Sequence, residues 1–233
     1  MRLSASTSAT QKGTYVRFQE PRTKNHTAAD DVKTVAEAWA NSKYYARAEE
    51  WTHVFWGPKT HFRRLFDRLD LTSVVELACG HGRHAAQTAV RAGHLTLIDI
   101  FEANLAACRE RLAGAANVDY ILGCGLDFQP LPDNSITAIY CYDAMVHFAP
   151  SMVEAYLLDA ARVLKPGGMA LFHHSNYPAP LERHYGQNPN ARNHMTAALF
   201  AHYAENAGLT VVESIIIPWG KVADLDCLTL LRK

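Results

Sequence analysis

No long apolar run occurs in these 233 residues, and nothing in the sequence approaches the roughly 20 apolar residues of a membrane-spanning helix. Residues 1–24 also lack the apolar core of a secretory signal, so a cytoplasmic protein is expected. Net charge is missing as well. The 23 Lys and Arg balance the 23 Asp and Glu, leaving no basic field of the kind nucleic acid requires. Cysteines Cys79, Cys108, Cys124, Cys141 and Cys227 are scattered and form no CxxC pair. That spacing argues against structural zinc and against a disulfide framework. His81 and His84 stand three apart and with His147 and His174 make a possible ligand group, but zinc needs three or four ligands in fixed geometry, and no metal is expected.

What is present suits one globular domain with a sizeable core: 48% of the residues are apolar and 20% charged. Residues 1–30 are polar and read as a flexible arm. Residues 31–70 read as a helical cap, with Val32, Val35, Ala36 and Trp39 at helical spacing, an aromatic stretch from Tyr44 to Trp56, and a helix near 59–69. From residue 71 to 233, strands and helices alternate. Strands are expected at 73–78, 95–100, 118–122, 135–142 and 169–174. Helices fall between them, one beginning at Ser151 with Glu154 three residues on as a capping box. Two closing strands, 209–217 and 225–231, have only a turn between them and should pair as a hairpin. The pattern predicts a Rossmann-like α/β fold. Its sheet has seven strands and is mostly parallel, with helices on both faces and one antiparallel strand added at an edge.

In such a sheet, ligands bind beyond the carboxyl ends of the strands. After the first strand stands Glu76-Leu77-Ala78-Cys79-Gly80-His81-Gly82-Arg83, a glycine turn entering a helix. Glycines permit the tight turn, and the helix N-terminus offers free N–H groups. Asp99 ends the next strand, where a carboxylate can accept bonds from ribose hydroxyls. The pair predicts a nucleoside site. The GxGxxG spacing of an NAD site is absent, and Glu76 before the turn suits a ligand bearing an ammonium group better than a pyrophosphate.

The segment Glu76–His84 (ELACGHGRH) resembles motif I of class I S-adenosylmethionine (SAM)-dependent methyltransferases. Leu131–Ser135 (LPDNS), Arg162–Gly168 (RVLKPGG) and Ala204–Leu209 (AENAGL) resemble further segments of that family, in order and at family spacing over about residues 70–233. The resemblance implies SAM as cofactor, with S-adenosylhomocysteine as product. Asp99 matches the family's ribose-binding acidic position. Cofactor contacts are expected at Glu76, Ala78, Cys79, Gly80, Gly82, Arg83, Asp99, Ile100, Asn104 and Tyr142, with Gly125, Leu126 and Asp127 beside the adenine. The chain departs from the pattern at Ala78, where the family's first glycine stands, and at Cys124, where many relatives carry Asp.

Methyl transfer to oxygen or nitrogen also needs a proton acceptor. His147 is one candidate, with Asp143 four residues earlier to orient it if the chain is helical there. His173 and His174 alternate across a strand, and His174, nearer the carboxyl end, is the second. Substrate contacts are expected from Tyr44, Tyr45 and Trp56 of the cap and from Asn176, Tyr177 and Arg192 in the long loop after the fifth strand. The leading expectation is a monomer or homodimer that methylates a small molecule, natural product or sugar-like. Peptide or protein methylation, or SAM binding without catalysis, are the alternatives.

Overall fold

The computed structural model describes residues 26–40, 42–180 and 183–233. The expected arm therefore lies outside the described residues up to position 25, and its end is already helical. Helix α1 spans Ala28–Trp39, and Thr27 and Asp30 form a reciprocal capping box at its start. Three short helices follow: α2 (Tyr44–Ala48), α3 (Thr52–Phe55) and α4 (His61–Phe66). Thr60 caps α4, whose Phe62, Leu65 and Phe66 are buried as the sequence spacing predicts.

The strands are β1 (Ser73–Leu77), β2 (His94–Asp99), β3 (Val118–Leu122), β4 (Ile136–Cys141), β5 (Leu164–Ser175), β6 (Thr210–Trp219) and β7 (Val222–Arg232). Helices α5 (Ala85–Ala89), α6 (Glu102–Arg111), α7 (Pro150–Val163) and α8 (Ala197–Asn206) connect them. The sheet order is β3-β2-β1-β4-β5-β7-β6. Pairings through β5 are parallel, and β7 runs antiparallel to both its neighbours. The antiparallel strand is thus inserted between β5 and β6 rather than added at the edge. The reason lies in burial. Residues 225–231 of β7 are all buried, whereas β6 is largely half-exposed. A strand buried on both faces belongs inside a sheet and a half-exposed one at its rim.

Alternation along the strands feeds two cores. Val75, Leu77 and Ile139 join α7 and α8 on one face, through Tyr156, Leu157 and Phe200. Val74, Leu95 and Leu171 join α4, α5 and α6 on the other, through Phe66, Ala85 and Leu105. Each large apolar side chain so buried contributes roughly 1.5–3 kcal/mol. Helix α7 begins one residue before the expected capping box. Ala149 is its N-cap and Pro150 its first residue, a position that suits proline's fixed φ. The Ser151 hydroxyl is bonded instead to Asp31 of α1. That bond ties the cap to the domain. No helix among the described residues is long and apolar enough to cross a membrane.

Candidate active site

The turn after β1 takes three left-handed residues, Ala78 (φ 56°), Gly80 (φ 54°) and Gly82 (φ 75°). It brings the Gly80 amide onto Asp99, 2.9 Å from Oδ2. The other carboxylate oxygen of Asp99 accepts from the Phe101 amide at 2.9 Å and from Asn104 Nδ2 at 3.1 Å. Burial pushes the Asp99 carboxyl up, and these N–H donors pull it back toward the ionised form. The Ile100 amide acts on this carboxylate as well, so four protein N–H groups hold it in place at the cavity wall.

A cavity of about 930 Å³, partly open to solvent, lies over this turn. That volume includes space open to solvent. One wall is Ala78, Cys79, Gly80, His81, Asp99, Ile100 and Gly125. The cap supplies the opposite wall with Val35, Trp39, Tyr44 and Tyr45. Beyond the end of β4 stand Tyr142, Asp143, His147, Phe148, Met152 and Tyr156. The cap sits directly on the glycines. A Cβ at Gly80 would come within 3.2 Å of the Tyr45 ring, and one at Gly125 within 2.6 Å of Val32. Glycine is required at both places because backbone and cap meet there without intervening side chains.

Polar contacts pin the cap down. Asp143, in the left-handed region at φ 59°, accepts from the Tyr44 hydroxyl and from Arg83, whose Nη2 is 2.6 Å away. Arg83 also donates to the Ala48 carbonyl at 2.8 Å. Tyr45 stacks on His81 at 4.7 Å, and Glu49 pairs with Arg111 at 2.6 Å. Burial, then the Asp143 charge, raise the Tyr44 phenol well above its ordinary range, so it stays a donor.

His147 is buried at the cavity wall, with the Trp39 ring against it at 4.4 Å. Its Nδ1 lies 2.8 Å from the Ala191 carbonyl oxygen. A carbonyl only accepts, so the proton sits on Nδ1 and Nε2 keeps its lone pair. Burial and then the Arg192 charge lower this imidazole to about 4. Asp143 does not orient it. The left-handed turn at Asp143 breaks the helical spacing that would join the two, and the carboxylate is spent on Tyr44 and Arg83.

Several expected site residues stand elsewhere. His174 is not at the cavity. It is fully buried, bonded to the Ser175 carbonyl and Thr229, stacked on Phe200 at 3.8 Å, and lowered by burial to about 3. Its neighbour His173 faces the site's underside, accepting from the Asp143 amide at 3.0 Å and meeting Asp226 at 3.0 Å. Arg192 is no clamp for a substrate. It is buried in a two-pronged pair with Asp226, at 2.8 and 2.6 Å. Burial alone would raise Asp226, yet His173 and Arg192 hold it at about 2. Asn176 is consumed by the Asp224 carbonyl and the Ala197 amide, and Tyr177 packs beside it off the cavity wall. Trp56 lies in the second core against Phe62 and Phe66.

Five cofactor candidates, Gly82, Asn104, Leu126, Asp127 and Glu76, stand behind the wall. Asn104 holds Asp99, Gly82 gives α6 room through contact with Cys108, Leu126 packs in the core, and Asp127 accepts from the Gln129 amide. Glu76 is buried behind the turn, bonded to the Tyr140 hydroxyl, and burial pushes it up to about 8. The wall residues Trp39, Phe148, Met152 and Tyr156 carried only an apolar helical signal, which reads as core. His84 lines the cavity too. Its place in the motif marks it, but residue type alone assigned it no task.

Residues 74–168 match the family model described as a methyltransferase domain. A sterol 24-C-methyltransferase of Gibberella zeae is 30% identical over 179 residues, covering 62% of this chain and 45% of that protein. A fatty-acid O-methyltransferase of Mycolicibacterium smegmatis is 32% identical over 101 residues, covering 42% of this chain and 35% of that protein. The chain spans under half the length of these two relatives. A SAM-dependent methyltransferase structure from Mesorhizobium loti superposes with a TM-score of 0.58 at 18% identity, covering 74% of this chain and 97% of that one.

Proposed function

We propose that this chain is a class I SAM-dependent methyltransferase and that it moves a methyl group from SAM to an oxygen or nitrogen of a small-molecule acceptor held under the cap. The observation that carries the reading is one cavity that joins the Gly80–Asp99 turn to a neutral His147. The residues present fit the cofactor. Asp99 brings a carboxylate to the cavity wall where a ribose hydroxyl would bond, and Ile100 and Gly125 stand beside it. Tyr44, Tyr45 and Trp39 present aromatic rings, which suit a cationic sulfonium.

SAM supplies the electrophilic methyl when bound. The protein's part is position, dryness and a place for one proton. The cap, pinned through Tyr44, Arg83 and Glu49, keeps water from the reacting atoms. His147 Nε2 accepts the hydrogen bond of the acceptor's hydroxyl or amine. That nitrogen would take the acceptor's proton as the acceptor is methylated and pass it on to solvent. The aromatic and aliphatic lining favours an acceptor with an apolar body. The fatty-acid and sterol methyltransferases named above favour the same reading, although the second methylates carbon by its name. The reading further expects no nucleic-acid or membrane partner, a cytoplasmic location, and a monomer or homodimer with residues 31–70 serving as the cap.

The test is incubation with methyl-labelled SAM and a panel of apolar alcohols, carboxylic acids and amines, with products identified by mass. His147→Ala is expected to lower turnover by about 10²–10⁴-fold while S-adenosylhomocysteine affinity holds. A fully active variant removes His147 from the chemistry.

A further inference from the structure

One short stretch of the loop after β5 grips His147. The Ala191 carbonyl meets its Nδ1 at 2.8 Å. The Asn193 side chain and amide bind the carbonyls of His147 and Val146, at 3.2 and 3.0 Å. Asn190 (φ 49°) and Ala191 (φ 53°) both lie in the left-handed region, and neither is glycine. Cβ crowds the following carbonyl there, so two such residues in succession persist only where their surroundings force them.

Arg192 supplies the force. Its Nε and Nη2 fork onto Asp226 at 2.8 and 2.6 Å, and its Nη1 donates to the Asn190 carbonyl at 3.1 Å. The other end of that peptide unit, the Ala191 amide, donates to the Asn188 carbonyl at 3.0 Å. The peptide between the two left-handed residues is thus held at both ends. The next unit carries the Ala191 carbonyl, and its amide, that of Arg192, donates to the Pro189 carbonyl at 3.1 Å. Asp226 stands on β7, inside the sheet, which gives the fork a fixed seat. Arg192 is 2% exposed and lies 4.8 Å from the centre of the Trp219 ring. A buried ion pair adds little net stability, because desolvation offsets the attraction, so its effect is to be sought in the backbone it fixes.

We propose that Arg192 is a positioning residue for His147: seated on Asp226, it holds the left-handed turn that aims the Ala191 carbonyl at Nδ1 and so keeps the ring's single proton off Nε2. The proposal rests on the methyltransferase reading, in which Nε2 takes the acceptor's proton. A ring with its proton on Nε2 could not accept another there while neutral.

Nitrogen NMR of the ligand-free protein with isotope-labelled histidines reads the tautomer at neutral pH, the His147 signals being those lost in His147→Ala. The wild type should show Nε2 unprotonated. Arg192→Lys keeps the charge and a bond to Asp226, and deletes the fork and the Nη1 bond to Asn190. It should share the proton between the two ring nitrogens. Turnover of the acceptor found by the panel above should fall about ten- to a hundredfold, with KM held within about twofold. Adding Ala191→Gly supplies the left-handed turn without strain and keeps the carbonyl, so the double variant should regain most of the Nδ1–H form and of the turnover. Should Arg192→Lys not fold, Asp226→Asn, which loosens the seat beneath the guanidinium, should move the tautomer in the same direction. An unchanged Nδ1–H form in the folded variant overturns the proposal. So does a double variant that regains neither tautomer nor turnover, since Arg192 would then serve the fold alone. A wild type with the expected spectrum that transfers no methyl group from SAM defeats the methyltransferase reading, a failure that the spectra separate from that of Arg192.

Discussion

At Ala78 a single methyl group works against the backbone it stands on. The turn after β1 holds this residue at φ 56°, where an L-residue's Cβ crowds the neighbouring carbonyl and glycine does not. Ala78→Gly is expected to stabilise the protein by about 0.5–1 kcal/mol, the strain relieved less the added freedom of the unfolded chain. The urea midpoint measures it, and an unchanged or lower midpoint would show that the turn carries no strain. The departure from the family pattern was legible in the sequence; the left-handed geometry behind it follows once Gly80 and Gly82 fix the turn. Asp143 was not so legible. Nothing in Tyr142-Asp143-Ala144 signals a left-handed residue, and reading the segment as helical joined Asp143 to His147 instead of to Tyr44 and Arg83. His173 and His174 failed for a related reason. Alternation shows that they face opposite ways, but not which face carries the cavity. His174 turned to Phe200 and Thr229, while His173 reached the Asp143 amide.

Among the elements, those with a strong period were readable and those fixed by distant partners were not. Strand β4 and helix α7 fall where hydrophobic spacing puts them, because each needs only its own pattern and a neighbouring strand. The place of β7 depends on β5, more than fifty residues away, and its burial had to outweigh simple hairpin addition. The cap shows the same division. Its helices announce themselves by spacing. Its position over Gly80 and Gly125 is set by Tyr44, Tyr45, Val32 and Asp31 meeting partners in the domain, contacts with no local signature. The loop after β5 has no period because its residues serve buried polar pairs. Arg192 reaches Asp226, and Ala191 receives His147.

For the molecule as a whole, buried titratable groups set a stability curve with a maximum. His147 at about 4 and His174 at about 3 are both depressed from an ordinary 6.5 by burial. Their contribution is full above pH 6.5 and is lost as pH falls toward 4, because the unfolded chain takes up protons that the folded one refuses. Glu76, raised from 4.5 to about 8 by burial, acts in the opposite sense. Its contribution is full below 4.5 and is lost as pH rises through 8. Three lowered histidines, His84 included, outweigh the raised carboxyls Glu76 and Asp99 between pH 4.5 and 6.5, so stability climbs there and then declines to pH 8. Each proton is worth at most about 1.4 kcal/mol per pH unit. Urea midpoints at pH 5, 6.7 and 8.5 should show the maximum at the middle value. Glu76→Gln should flatten the alkaline decline and leave the acid limb in place; a decline that survives this substitution assigns it to another group.

The claim beneath all of this is that the Gly80 turn and Asp99 together hold the nucleoside of the cofactor. A crystal soaked with S-adenosylhomocysteine measures that directly. The ribose hydroxyls should lie within hydrogen-bond reach of Asp99, the adenine beside Ile100 and Gly125, and the thioether sulfur on the His147 side of the turn. Density for the nucleoside at another place, or none in a crystal whose cavity is open to the soak, would contradict it.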